Sequence, residues 1–214
     1  MVISMRGAES RKAMVVIWWI LLIIVVAYSG FAFDMFRIEL NQLSGSVVDV
    51  NAKARRMPLV FMVHALLGGI GLLAGVFQFS SRVRHSYMRV HRFTGWVYLL
   101  AIWGASLSGV LNAIYFDVPG SAKLIFIGVG SWWFSSTTLA FLKIRQRAVE
   151  AHQVWMIRSY ATSLFFITFP FFVPTLQMLV RDSIAWPVGL TIALGLNVVV
   201  GEVWIRRRIS IASY

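Results

Sequence analysis

Six long apolar runs decide what this chain can fold into. They fall at about 14–33, 58–80, 93–115, 124–142, 154–176 and 184–205. At about 1.5 Å per residue, each is long enough or nearly so to cross roughly 30 Å of hydrocarbon. Hydrocarbon offers no partner to a backbone N–H or C=O, so each run is expected to satisfy its own as a helix. The expected fold is all-α: an integral membrane six-helix bundle, read as a single polytopic domain over 1–214. No polar stretch is long enough to fold as a second domain. The first run follows Arg6, Arg11 and Lys12 and could pass for a signal peptide. Ala27-Tyr28-Ser29 makes a poor cleavage site and the apolarity continues to Phe33, so the run reads as a retained span.

Charge then orients the bundle. Only 13% of the chain is charged, yet its formal net charge is +12. Such a balance points to nucleic acid when it lies on a soluble face. Here it lies in short loops between apolar runs, which excludes that partner. With a cytoplasmic N-terminus, one side receives Arg6, Arg11 and Lys12, then Arg82, Arg84, Arg89 and Arg92. It also receives Lys143, Arg145, Arg147 and Arg158, and finally Arg206, Arg207 and Arg208. The other side keeps Arg37, Lys53, Arg55, Arg56, Lys123 and Arg181. The excess of positive charge stays inside, so both termini are expected in the cytoplasm. Trp96, Trp155 and Trp204 fall near inner ends and Trp186 near an outer end, as an interfacial belt requires. Cysteine is absent, which removes disulfides, thiolate metal sites and a cysteine nucleophile together.

Local signals refine the bundle. Gly71 and Gly75 in the second run, with Gly68 before them, form a small-residue stripe that lets another helix of the same chain approach closely. Pro170 and Pro174 each remove a backbone donor from the fifth run and are expected to kink it. The 34–57 connection is the one long loop, with room for a short surface helix. Hydroxyls in SWWFSSTT (131–138) are expected to bond between helices or back to their own backbone. Glu202 is placed to pair with Arg206 four residues on.

The histidines carry what chemistry there is. Ionisable residues at membrane depth are costly, which makes them candidates for function. His91 opens the third run and His152 the fifth, both at the inner end, and His85 lies in the loop on that side. His64 lies about six residues inside the outer end of the second run, roughly 24 Å from the inner level. One ion cannot reach both levels. Helical spacing puts Arg84, Tyr87, His91, Gly95 and Tyr98 on one face, and His152, Trp155, Ser159 and Ser163 on another. His91 and His152 can therefore face each other among Arg84, Arg92 and Arg158. That set suits an anion, whether a haem propionate, a phospholipid head group or a phosphorylated substrate. A single inner-side bis-histidine b-type haem fits the spacing, and zinc on His91, His152 and Glu150 is a third arrangement. At the outer level, Pro170 frees the carbonyl of Phe166, which His64 could satisfy, with Asn112 beside it to form a small polar cavity.

Three stretches together resemble a known family. They are His64 with Gly68, Gly75, Gln78 and Phe79; His91-Arg92 with Gly95 and Tyr98; and His152 with Trp155, Met156, Arg158, Ser159 and Tyr160. This pattern is similar to the bacterial membrane proteins called domain of unknown function 2306. The resemblance runs from about Pro58 to the end of the fifth span. It implies a membrane bundle, singles out His64, His91 and His152 over His85, and implies no activity. Gln153 stands where such proteins often carry a second basic residue, and Phe169-Pro170 where they often carry an arginine.

Two function classes follow. The first is a non-catalytic membrane component: a scaffold, an assembly factor or a lipid-binding subunit. Its basic rim would meet anionic lipid head groups, a protein partner or another copy of the chain. The alternative is a b-type haem-binding redox protein with His91 and His152 as ligands and Arg92 and Arg158 on the propionates. There is no H-E-x-x-H, no phosphate-binding glycine loop and no G-x-S-x-G to indicate an enzyme.

Overall fold

The structure, a computed structural model, describes the backbone of residues 58–79 and 81–212, together with Trp19, 22–31, 33, 34, 37 and 41. Much of the expected first span, and the surface helix expected in 34–57, fall outside the described residues. All regular structure among the described residues is helical. A short apolar helix, α1 (Leu22–Phe31), precedes α2 (Pro58–Gln78), α3 (Ser81–Ser86), α4 (Met88–Tyr115), α5 (Gly120–Arg145), α6 (Val149–Gln177) and α7 (Asp182–Ala212). Of these, α2, α4, α5, α6 and α7 are long and apolar enough to cross a membrane.

The four last helices overrun the apolar runs that announce them. Apolarity marks only the stretch that must dwell in hydrocarbon, whereas the backbone ladder continues into the interface. The basic loop after α2 departs from expectation in a second way. The third run does not reach back through it as one helix. Tyr87, at φ −133° and ψ 55°, breaks it into α3 and α4. Tyr87 is consequently exposed, while His91, Gly95 and Tyr98 keep the shared face.

Short turns make consecutive long helices antiparallel. The turn after α5 is closed by Ala148 N–H on the Lys143 carbonyl (3.0 Å) and Arg147 N–H on that of Ile144 (3.0 Å). Arg147 sits there at φ 61°, in the left-handed conformation that usually calls for glycine at a helix end. α6 runs through Pro170 and Pro174 as one helix.

The tightest packing joins α2 to α4 and α6 to α7, with α5 lying against both α4 and α6. The glycine stripe of α2 makes the first of these contacts. A Cβ at Gly71 would run into Ile102, and one at Gly75 into the ring of Tyr160, with Tyr98 at 3.0 Å. At these two glycines the stripe is therefore filled from within the chain. Around it lies one buried cluster containing Val25, Leu72, Val76, Tyr98, Ile102, Trp133 and Tyr160. A second one, with Phe165, Val173 and Leu190, joins α5, α6 and α7.

Candidate functional site

Five helix ends converge at the basic end of the bundle. Phe79, just past α2, stacks on Trp204 of α7 (5.4 Å between centroids), and Gln78 donates to Thr94 of α4 (2.6 Å). His152 at the start of α6 donates from Nδ1 to the Ala140 carbonyl of α5 (2.8 Å). That bond fixes the orientation of the imidazole and its tautomer. His91 has the opposite character, since its Nδ1 is buried and has no partner among the described residues. Arg84, His152 and Arg92 lie close enough to His91 to act on it electrostatically. The two expected histidines are thus brought to one neighbourhood.

The rest of the expected cluster disperses. Arg158 turns to α7 and binds Glu202 through Nε (2.7 Å) and Nη2 (3.3 Å), with its guanidinium over Trp155 at 4.9 Å. It is held by a carboxylate of the chain itself and is not left free for the anion of a ligand. Glu202 was expected to pair with Arg206. It takes Arg158 instead because the α6–α7 contact brings a cation into its own layer, although Arg206 still acts on it at longer range. Glu150 does not join His91 and His152: no three metal-ligating side chains of the His, Cys, Asp or Glu type cluster among the described residues. Two residues apart on one helix, Glu150 and His152 point to roughly opposite sides. His85's side chain lies outside the described set. Arg89, Arg92, Arg206 and Arg207 are exposed.

Above this end the polar stripe of α6 faces inward, as its spacing predicts. Ser159 and Ser163 are fully buried. Ser159 shares hydrogen bonds with Tyr98 (2.7 Å) and Thr137 (2.6 Å), and Ser163 accepts from the indole of Trp133 (3.0 Å). Tyr160 donates to the Leu72 carbonyl (3.2 Å). The hydroxyls of 131–138 behave as expected: Thr137 bonds both across helices and back to the Trp133 carbonyl (2.8 Å). These bonds tie α2, α4, α5 and α6 together where a lone hydroxyl would be costly.

Beyond that network, at the far end of α2, lies a cavity of about 360 Å³. His64, Asn112 and Pro170 all line it, so the expected outer grouping does assemble. The expected bond does not form. His64 Nδ1 donates to the Ala105 carbonyl of α4 (2.8 Å), and its ring meets Phe166 edge-on at 5.4 Å instead of capping that residue's backbone. The imidazole fits because Gly109 faces it; a Cβ there would come within 2.8 Å of the ring. The cavity is also larger and far more aromatic than a small polar pocket, with Phe61, Phe126, Trp133 and Phe169 in its walls.

Several residues that shape these sites gave little signal in the sequence. Asn197 is buried in α7 and binds Thr168 (2.7 Å) and the Ala193 carbonyl (2.8 Å). A single asparagine in an apolar run was the available clue. Ser29 of α1 donates to the Gly69 carbonyl (3.2 Å), which seats α1 on α2 and supplies Tyr28 and Phe31 to the cavity wall.

Residues 61–205 match the family described as predicted membrane protein, DUF2306, and the chain belongs to that family. No curated protein and no solved structure matches it.

Proposed function

For this member of a family defined by its membrane character alone, we propose a non-catalytic role: a multi-pass inner-membrane component whose basic end engages anionic lipid head groups. Both termini then lie in the cytoplasm, on the side of the anionic surface. The observation that carries this reading is the set of four exposed arginines, Arg89 and Arg92 at the start of α4 and Arg206 and Arg207 late in α7, on the two helix ends that the end of α2 touches through Gln78–Thr94 and Phe79–Trp204. A guanidinium at an interface can hold a phosphate by two parallel N–H···O bonds, and each such contact near an anionic surface contributes about 1 kcal/mol. A protein partner or a second copy of the chain would dock beside that lipid-facing rim.

The test is lipid retention. Protein purified in mild detergent, analysed by native mass spectrometry, is expected to keep phosphatidylglycerol or cardiolipin in preference to phosphatidylcholine. Replacing Arg89, Arg92, Arg206 and Arg207 by Gln together should cut that preference several-fold while the melting temperature holds. Equal retention by the variant would defeat the reading.

A b-type haem on His91 and His152 is the second reading. In its favour, the carbonyl of Ala140 orients His152 as an outer partner orients a metal-ligating imidazole. Against it, Arg158, which was to meet a propionate, is held by Glu202. Absorption spectra of oxidised and dithionite-reduced protein separate the two. A Soret band lost in both His91→Ala and His152→Ala would establish haem, and a colourless protein expressed with haem supplied would remove it.

A further inference from the structure

The cavity at the far end of α2 has a chemistry that selects its occupant. None of the residues lining it is charged, so a phosphate or carboxylate head group has no counterion there. Its walls are mostly apolar and aromatic, which favours a flat ring stacked or edge-on among Phe61, Phe126, Phe166 and Trp133. Its volume of about 360 Å³ falls in the range of small-molecule pockets.

Two polar groups then fix the orientation. His64 Nδ1 spends its proton on the Ala105 carbonyl, so in the neutral ring Nε2 presents a lone pair and accepts. The Asn112 amide lines the same space and can both donate and accept. Neither His64 Nε2 nor the Asn112 side chain makes a side-chain hydrogen bond among the described residues. An alkyl chain alone would offer neither of them a hydrogen-bond partner. A ligand carrying a hydroxyl would satisfy them.

We propose that this cavity binds a membrane-dissolved phenol or quinol, its ring among the aromatic walls, one hydroxyl donating to His64 Nε2 and hydrogen-bonding the Asn112 amide. The site is separated from the basic end by the Tyr98–Ser159–Thr137 network and goes beyond the lipid role proposed for that end. Each can fail without the other.

Gly68 supplies the decisive variant. It lines the cavity, and a Cβ added there meets nothing within 4 Å. Gly68→Phe should therefore fill the site without disturbing the helices around it. The measurement is titration of detergent-purified protein with decylubiquinol under nitrogen, read by tryptophan quenching, beside decylubiquinone and farnesol. The expected result is saturable binding of the quinol, at least ten-fold tighter than farnesol and several-fold tighter than the quinone. Gly68→Phe should weaken quinol binding at least ten-fold while keeping the wild-type melting temperature and elution volume. His64→Phe should erase most of the preference for quinol over quinone, because a quinone has no hydrogen to donate to Nε2, whereas Asn112→Leu should weaken both ligands. Unchanged quinol binding in Gly68→Phe would overturn the site. Equal affinity for farnesol, or a quinol preference surviving in His64→Phe, would overturn the ligand class.

Discussion

The two halves of α2 carry similar residues and meet opposite fates. Toward the basic end, Gly71 and Gly75 are closed over by Ile102, Tyr98 and Tyr160. Toward the other end, Gly68 faces open space beside His64. The difference lies across the interface, on α4. Its inward face reads Tyr98, Ile102, Ala105, Gly109 and Ala113, large residues giving way to small ones at steps of three and four. Large residues opposite glycines make a packed seam. Small residues opposite glycines leave room, and His64 takes only part of it. A glycine stripe in a membrane helix is thus permission for close approach, and the neighbouring helix decides whether that permission is used for packing or for a cavity.

The comparison breaks most easily at the glycines. Gly75→Leu should drive a side chain into the rings of Tyr160 and Tyr98 and destabilise the protein by about 3 kcal/mol, read as a lower melting temperature in detergent. Gly68→Leu should change stability by less than about 0.5 kcal/mol. Equal damage from the two would mean that both halves of α2 are packed alike. A smaller effect sharpens the contrast between a satisfied network and an open cavity. Ser159→Ala removes the hydroxyl shared by Tyr98 and Thr137 and should cost about 1–2 kcal/mol, since both partners stay buried. A silent Ser159→Ala would show that the network adds nothing to the packed half. The smallest effect is expected at the partly exposed pair: Glu202→Gln should cost at most about 1 kcal/mol, with the difference from wild type shrinking in high salt. A salt-independent loss would place that pair in a drier setting than its exposure indicates.

Much of the bundle could be read ahead of the structure because hydrocarbon permits so few solutions. Apolar length predicts α2, α4, α5, α6 and α7, and the inward stripe of Ser159 and Ser163 follows from helical spacing. The candidate sites were legible as groupings and not as bonds. His91 with His152, and His64 with Asn112 and Pro170, come together as depth alone suggests. Their partners do not follow, because a hydrogen bond depends on rotation of one helix against another. Arg158 meets Glu202 forty-four positions away instead of a ligand, and His64 chooses the carbonyl of Ala105 over that of Phe166. The break at Tyr87 was also hidden, since no proline or glycine marks it.

By itself, the sequence determined that this chain is a helical membrane protein, where its long helices run, and that His64 sits at a different level from His91 and His152. These follow from one-dimensional quantities: apolar length, rise per residue and charge along the chain. Only the tertiary structure decided that Gly75 is filled and Gly68 is not, that Arg158 is held by Glu202, and that His64 opens onto an aromatic cavity. Those outcomes depend on which residue of a second helix stands opposite, and the order of residues along one helix carries no record of that.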